Sequence, residues 1–182
     1  MEKLKLLRLH GMNKNSADRE REGYQHWDVS CFGWKYNMDN IHAAMLLPQM
    51  KRLDKKAKIR AALASSYIDR LKNVSGVSLP ARLPESCVHA NHLFPIWVDS
   101  RRRDDIIGHL HCRGIPSTVN YQAIHLLTYF RETYGFKAGD FPVAERLGSQ
   151  CISLPFYPGL KEEELERVVQ AVAEALGETH AN

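Results

Sequence analysis

"CISLPFYPGLKEEELERVVQAVAEAL", which runs from Cys151 to Leu176, is the stretch of this sequence that decides its fold. It opens with a short apolar run that predicts a β-strand, and the prolines and glycine that follow indicate a strand end and a turn. Three glutamates, Glu162 to Glu164, then complement the positive end of a helix dipole. After them, apolar residues recur with the i, i+3, i+4, i+7 spacing of an amphipathic helix, at Leu165, Val168, Val169, Val172 and Leu176. The stretch therefore predicts a strand followed by a helix that has to bury one face.

The same alternation of strand and helix patterns extends upstream. "HLFPIWV" predicts a strand over residues 92–98, a helical pattern covers residues 104–113, and "IPSTVNY" predicts a second strand over residues 115–121. A short helix is expected over residues 142–147. Strands that alternate with helices, with the helices on one side, predict an α+β domain of two layers.

The first 34 residues show less regular patterning. A helix over residues 2–9 is expected to end at Gly11. Residues 13–34 are polar and aperiodic, which predicts a long loop, and loops of that length in compact domains usually have a function or cover a partner.

A long helical pattern begins at Met38. Asp39 is a candidate N-cap, and apolar residues continue at roughly helical spacing as far as Leu71. Pro48 lies inside this pattern, and it predicts either a kink or a break into two helices, because proline lacks the amide that the helix needs.

Composition excludes several classes of protein. Hydrophobic residues make up 44% and charged residues 25% of the 182 residues, which is the balance of one ordinary globular domain. No apolar run approaches the roughly 20 residues that cross a bilayer, and the charged N-terminus does not resemble a secretory signal. The four cysteines form no CxxC pair, which favours reduced thiols. We therefore expect a cytoplasmic protein with no membrane partner.

Charge and histidine content do not indicate a further partner. The net charge is only +4, and the basic residues cluster in residues 51–60 and 101–103. A solvated helix face is the favoured interpretation of these clusters over a nucleic-acid patch. The histidine pairs in "HANH" and "HLH" lack the spacing and the additional ligands of a metal site. We expect neither a nucleic-acid partner nor a bound metal.

Five segments, taken in order along the chain, resemble one family. They are "LKLLRLHGM" from Leu4, "GWKYNMDNIHAAMLLPQMKRLD" from Gly33, "HANHLFPIWVD" from His89, "RGIPSTVNYQAIHLLTYF" from Arg113 and "CISLPFYPGL" from Cys151. Together they resemble the C-terminal half of the DegT family of vitamin-B6-dependent sugar-nucleotide aminotransferases, in the fold type I group. The resemblance implies the small domain of that fold: a short, mostly antiparallel sheet covered by helices, with a long helix on its N-terminal side.

The resemblance also implies a division of the chain. Residues 1–37 would be a residual segment and interface loop of the large domain, residues 38–75 a long connecting helix region, and residues 76–182 the C-terminal α+β domain. In the family the helix region lies beside the dimer partner. We therefore expect a homodimer, or self-association through the apolar face that the large domain would otherwise cover.

The implied reaction is transfer of an amino group from glutamate to a keto-sugar nucleotide through pyridoxal phosphate. In the family a lysine forms the Schiff base with the cofactor and moves the proton. That lysine lies in a segment resembling "ATKxxxxGEGG", shortly before the stretch that begins here at Arg8, so it is expected upstream of Met1. The phosphate cradle and the aspartate that pairs with the pyridine nitrogen are expected there too. The chain alone is then expected to be inactive and to bind no cofactor by itself; the alternative is a stand-alone binding or assembly module.

Asn37 is the candidate cofactor-binding residue. It matches the asparagine of the family's "YN" motif, which reaches into the neighbouring subunit and bonds the cofactor phosphate. An amide at a loop-to-helix junction can donate to a phosphate, and the helix start at Asp39 adds a favourable dipole. The alternative is that Asn37 only turns or caps the chain before the helix. Lys35 could add charge to a phosphate or stay solvated, and Trp34 and Tyr36 are expected to be packing residues.

Tyr121 and His125 are the candidate substrate-binding residues. They match the aromatic residue and the histidine of a family loop that approaches the sugar nucleotide. Histidine can bond a sugar hydroxyl or a phosphate, and it changes charge near neutral pH. Relatives often carry a histidine just before the aromatic residue, where this chain has Asn120. The alternative for His125 is a side chain that packs behind the loop and caps the following helix.

Overall fold

The computed structural model of the chain describes residues 1–13, 21, 26, 28–81, 83–84 and 86–177. The chain divides into two compact units, Met1–Leu53 and Asp54–Asn182. Of the predicted loop over residues 13–34, residues 14–20, 22–25 and 27 lie outside the described residues. The division with boundaries after residues 37 and 75, which the resemblance implies, stays a prediction.

The first unit contains the described helices α1 (Glu2–Leu7) and α2 (Asn40–Lys51). The turn after α1 depends on Gly11, whose φ of +76° is a conformation that favours glycine. Its N–H donates to the carbonyl of Leu6 at 2.9 Å. The predicted first helix and its glycine stop are therefore confirmed.

Pro48 does not break α2. The helix continues through the proline to Lys51, and the break before α3 (Leu53–Leu71) falls at Arg52. At Arg52 the backbone N–H donates to the carbonyl of Gln49 at 3.1 Å, while the side-chain Nε donates to the carbonyl of Pro48 at 3.1 Å. The predicted division into two helices is confirmed, but the side-chain bond from Arg52 places the break one turn after the proline.

The second unit mixes helices with a small sheet. After α3 its elements are, in order, β1 (Phe94–Trp97), α4 (Arg103–Cys112), a 3₁₀ turn (Ile124–Leu126), α5 (Thr128–Tyr134), α6 (Pro142–Gln150), β2 (Cys151–Leu154) and α7 (Glu162–Leu176). The two strands pair antiparallel, with Phe94 opposite Leu154 and Trp97 opposite Cys151. The predicted class, α+β with a short antiparallel sheet covered by helices, is confirmed.

The sheet packs one face into the core. Phe94 and Ile96 are buried, while the alternate residues of β1, Pro95 and Trp97, are half-buried on the other side. The inner face shares one hydrophobic core with the apolar stripe of α7, where Leu165 and Val172 are fully buried. Helices α3 and α4 complete the core with Tyr67, Leu71, Ile106 and Leu110. Burial of this apolar surface is the main source of stability of the unit.

Tyr67 fastens α3 to the segment after β2. Its ring stacks on Phe94 with 4.7 Å between ring centroids, and its hydroxyl donates to the carbonyl of Pro155 at 2.9 Å. Burial raises the pKa of Tyr67, so the phenol stays protonated and remains a donor at neutral pH.

The predicted strand over residues 115–121 is wrong. Only Thr118 pairs, in an isolated bridge with Ser153, through bonds of 3.3 and 2.7 Å. Pro116 has no N–H to give to a ladder, and the carbonyl of Asn120 accepts from the Cys151 thiol at 3.5 Å instead of from a strand neighbour. The segment therefore leaves the sheet after one pair and becomes a loop.

None of the described helices is long and apolar enough to cross a membrane. Within the described ranges, no group of three or more His, Cys, Asp and Glu side chains is placed to hold a metal ion. The four cysteines are free thiols; Cys87 and Cys112 are exposed, Cys31 is half-buried and Cys151 is buried.

Truncating Leu165 tests the packing of α7 on the sheet. Leu165→Ala removes a fully buried side chain, and we expect it to lower the free energy of unfolding by about 2–5 kcal/mol. Chemical denaturation followed by circular dichroism measures the change. The matched control, Val88→Ala, alters a side chain that is 96% exposed and should cost no more than about 0.5 kcal/mol. Equal losses for the two variants would contradict this packing.

Candidate functional site

Asn37 lies in the first unit at the end of an extended segment held against the turn after α1. The N–H of Trp34 donates to the carbonyl of Leu7 at 2.7 Å, and that of Tyr36 donates to the carbonyl of Arg8 at 2.8 Å. The approach is close because Gly33 lacks a side chain: a Cβ there would lie 2.2 Å from the backbone nitrogen of Gly11. These backbone contacts fix the segment that leads to Asn37.

The side chain of Asn37 is exposed, and no hydrogen bond to it is found in the described part of the chain. Its amide is therefore a donor open to an external acceptor such as a phosphate oxygen. Asp39, and not Asn37, caps α2, and the cofactor-binding role of Asn37 stays a prediction.

Asp39 caps α2, as the sequence predicts. Its carboxylate accepts from the backbone N–H of His42 at 3.0 Å and also contacts the ring Nδ1 of His42. The hydrogen bond from the His42 amide, followed by the one from its ring, lowers the pKa of Asp39. The helix start thus already carries a carboxylate, which offsets the attraction of the helix dipole for a second anion beside it.

The aromatic residues next to Asn37 pack on one another rather than into a core. Trp34 and Tyr36 stack in parallel with 6.2 Å between ring centroids, and Phe32 meets Trp34 edge-on at 5.5 Å. All three remain substantially exposed. The three rings therefore form a row on the surface.

Tyr121 and His125 lie in the second unit, and both line one cavity of about 640 Å³. The cavity lies on the outer side of the sheet, where Trp97 and Cys151 form part of its wall. The indole Nε1 of Trp97 is buried and has no hydrogen-bond partner among the described residues. An apolar cavity with a few polar groups of this kind is typical of a ligand site.

The structure gives Tyr121 and His125 different environments. Tyr121 is 70% exposed at the cavity, whereas His125 is only 7% exposed. The His125 ring lies edge-on to the Phe141 ring, with 4.8 Å between ring centroids. Its Nε2 lies 3.0 Å from Oε1 of Glu145. His125 is thus packed against its neighbours, whereas Tyr121 is exposed at the cavity. The substrate-binding roles of both residues stay predictions.

Glu145 is the residue that sequence reasoning missed. Its Oε1 faces His125 and also accepts from the backbone N–H groups of Gly139 at 2.8 Å and Phe141 at 3.3 Å. The bond from Gly139, together with the smaller effect of His125, lowers the pKa of the Glu145 carboxyl despite partial desolvation. The one sequence signal was an acidic residue in the first turn of a helix that opens with proline, at Pro142.

The structure therefore brings Tyr121 and His125 to one cavity, with Glu145 behind them. Asn37 belongs to the other compact unit.

Comparison with known proteins identifies relatives across almost the whole chain. The sequence profile described as the DegT/DnrJ/EryC1/StrS aminotransferase family matches residues 1–173. The UDP-4-amino-4-deoxy-L-arabinose–oxoglutarate aminotransferase of Shewanella sediminis is 34% identical, over 96% of this chain and 47% of its own length. The spore coat polysaccharide biosynthesis protein SpsC of Bacillus subtilis is 31% identical, over 94% of this chain and 45% of its own length.

A solved structure supports the same relationship. S. venezuelae DesV, in complex with a ketimine intermediate, matches with a TM-score of 0.83 at 28% identity, over 98% of this chain and 44% of DesV. The fold is therefore that of part of a fold type I aminotransferase. The chain spans a little under half the length of each of these relatives.

The Glu145 carboxylate should make the stability of the second unit pH-dependent. Because the folded pKa of Glu145 is lowered, its stabilising contribution is present above the unfolded value of about 4.3 and is lost as the pH falls through the folded value. We expect Glu145→Gln to lower the unfolding midpoint at pH 7, with a difference from wild type that shrinks below about pH 4.

Urea unfolding at both pH values measures this difference. Glu132→Gln, at an exposed position near the end of α5, is the matched control and should match wild type at both. A Glu145→Gln difference that grows on acidification would contradict the assignment.

Proposed function

We propose, because this chain belongs to the DegT/DnrJ/EryC1/StrS aminotransferase family, that it is the C-terminal part of a pyridoxal-phosphate-dependent sugar-nucleotide aminotransferase. The observation that carries the proposal is the family match over residues 1–173, which leaves only the last few residues uncovered. The reaction would be transfer of an amino group from glutamate to a keto-sugar nucleotide. The names of the S. sediminis and B. subtilis relatives, which refer to an amino sugar and to polysaccharide biosynthesis, support that substrate class.

In this proposal pyridoxal phosphate, when bound, supplies the electron sink for amino transfer. Asn37 would donate its amide to the cofactor phosphate, and its exposed, unbonded side chain supports that role. Tyr121 would contact the sugar nucleotide from the rim of its cavity. His125 would act from behind the loop through its bond to Glu145. The division into residues 1–37, 38–75 and 76–182 belongs to the same proposal, as does a cytoplasmic location.

We further propose that the chain does not catalyse transamination by itself. A lysine that moves protons on a cofactor needs a water-poor setting that tunes its pKa. None of the described lysines is buried, and Lys5, for example, forms an exposed ion pair with Glu2 at 2.9 Å. The catalytic lysine would instead belong to the family segment that precedes the stretch beginning at Arg8.

Borohydride trapping tests this proposal. The chain is incubated with pyridoxal phosphate, reduced with borohydride and mapped by peptide mass spectrometry. We expect only low, scattered labelling of exposed lysines. As a positive control, a full-length relative should show one dominant pyridoxyl-lysine. A single dominant labelled lysine in this chain, discharged by glutamate before reduction, would overturn the inactive-fragment proposal.

A second candidate function, a binding or assembly module without catalysis, is favoured by the surface of α2. The helix has no buried residue, although its sequence is rich in apolar side chains. Its large apolar side chains are exposed, at Ile41, Met45, Leu46, Leu47 and Met50. Surfaces of this kind are usually covered by a partner. In the aminotransferase proposal the partner is a second copy of the chain, and both candidates therefore predict self-association.

Charge substitution on α2 tests that association. We expect Met45→Glu to weaken self-association at least about tenfold, because burying an unpaired carboxylate costs more than about 1.4 kcal/mol. Light scattering across a concentration series measures the effect. The matched control is Val88→Glu, which adds the same charge at another exposed apolar residue. A wild-type chain that stays monomeric at high concentration would contradict the assignment of α2 as an interface.

A further inference from the structure

The loop that carries Tyr121 is held along its length by α6 and the residue that follows it. The contacts come from Glu145 and Gly148, which lie three residues and about one helical turn apart in α6, and from Cys151, the first residue of β2. They meet the loop in reverse order, from His125 back to Asn120. Because these three residues have fixed positions at α6 and the start of β2, their contacts fix the position of the loop along its length.

Gly148 sets the distance between the helix and the middle of the loop. A Cβ at this position would lie 2.8 Å from the backbone nitrogen of Ala123 and 3.1 Å from the carbonyl oxygen of Tyr121. Both neighbours are backbone atoms, so a side chain here could be accommodated only by moving the loop. The carbonyl of Gly148 also accepts from the largely buried guanidinium of Arg103 at 3.1 Å, which ties this end of α6 to α4.

Glu145 and Cys151 hold the two ends of the loop. The Glu145 carboxylate engages the buried His125 ring at 3.0 Å, and its bonds to the Gly139 and Phe141 amides keep the carboxylate in place. At the other end the Cys151 thiol donates to the carbonyl of Asn120 at 3.5 Å. The backbone bonds within residues 120–127 close only local turns, so these contacts attach the loop to the body of the unit.

We propose that Glu145 and Gly148 are positioning residues that set the location of the Tyr121 side chain at the cavity. The functional part rests on the proposed contact between Tyr121 and the sugar nucleotide. The two residues touch no substrate; they act through His125 and through the loop backbone.

The thiol of Cys151 reports the loop position without any substrate. It is 3% exposed beneath the loop, whereas Cys87 and Cys112 are exposed and serve as internal references. The probe is N-ethylmaleimide, and peptide mass spectrometry follows the labelling of each cysteine with time. We expect Gly148→Ala to speed Cys151 labelling about tenfold or more relative to the references.

The chain offers matched controls for both substitutions. Gly108→Ala adds the same methyl group to helix α4, where nothing lies within 4 Å of it, and should leave Cys151 labelling unchanged. Glu145→Gln should speed labelling less than Glu145→Ala, because an amide oxygen can still accept from Gly139 and Phe141. Glu163→Gln, at an exposed glutamate of α7, is the control for Glu145→Gln and should leave Cys151 labelling unchanged. If Gly148→Ala fails to fold, the Glu145 pair decides the question.

A second measurement separates this inference from the proposed function. UDP is the probe, and the Tyr121 amide signal in nitrogen-15 spectra is the readout. We expect UDP to shift that signal in wild type and in Gly108→Ala, and to shift it at least about fivefold less in Gly148→Ala at equal UDP concentration.

Faster Cys151 labelling together with this loss of the UDP response is the expected result. Faster labelling with no UDP response in wild type would overturn the substrate role of Tyr121 and with it the functional part of the proposal, while the attachment of the loop would stand. Labelling rates equal to those of the control variants, at an unchanged unfolding midpoint, would overturn the positioning role itself.

Discussion

Burial of the inner face of a two-stranded sheet, in the core that it shares with α7, is the constraint on which the second unit depends. Two strands alone are marginal in water, so β1 and β2 persist because Phe94, Ile96, Ile152 and Leu154 are covered by helices. Side chains on a strand alternate, and a buried inner face therefore directs Trp97 to the outer face. The cavity with Tyr121 and His125 is built on that outer face. The site thus follows from the packing of the core.

The strand β2 connects the core to the cavity because α6, which holds the Tyr121 loop, leads directly into it. α6 ends at Gln150 and β2 begins at Cys151, so the register of the strand fixes the rotation and height of the helix. A helix fixed in this way can hold the loop through its own Gly148 and Glu145. Neither residue needs to approach a substrate to do so. This explains how a loop with one pairing residue, Thr118, keeps a defined shape outside a sheet.

The sequence predicts the elements whose signal is local. The apolar period of α7, the cap at Asp39 and the turn at Gly11 each depend on residues within about one helical turn, and all three are found. The prediction of a strand over residues 115–121 was wrong because β-branched residues indicate a preference for extended backbone but do not specify a neighbouring strand to pair with. The surroundings of His125 could not be predicted from the sequence because its hydrogen-bond partner, the carboxylate of Glu145, lies 20 residues away in the chain. The sequence could not predict that position 148 requires glycine, because the requirement arises only from the packing of the loop against the helix.

The central proposal is that this chain would contribute positioned side chains to an active site whose lysine would come from elsewhere in the family's longer sequence. The most direct measurement is a transamination assay with glutamate, pyridoxal phosphate and a keto-sugar nucleotide, with the chain alone and mixed with the complementary part of the S. sediminis relative. The account predicts no amino sugar from the chain alone, formation of product in the mixture, and a lower rate when the chain carries Asn37→Ala. Turnover by the chain alone, or a mixture in which Asn37→Ala is as active as wild type, would contradict it.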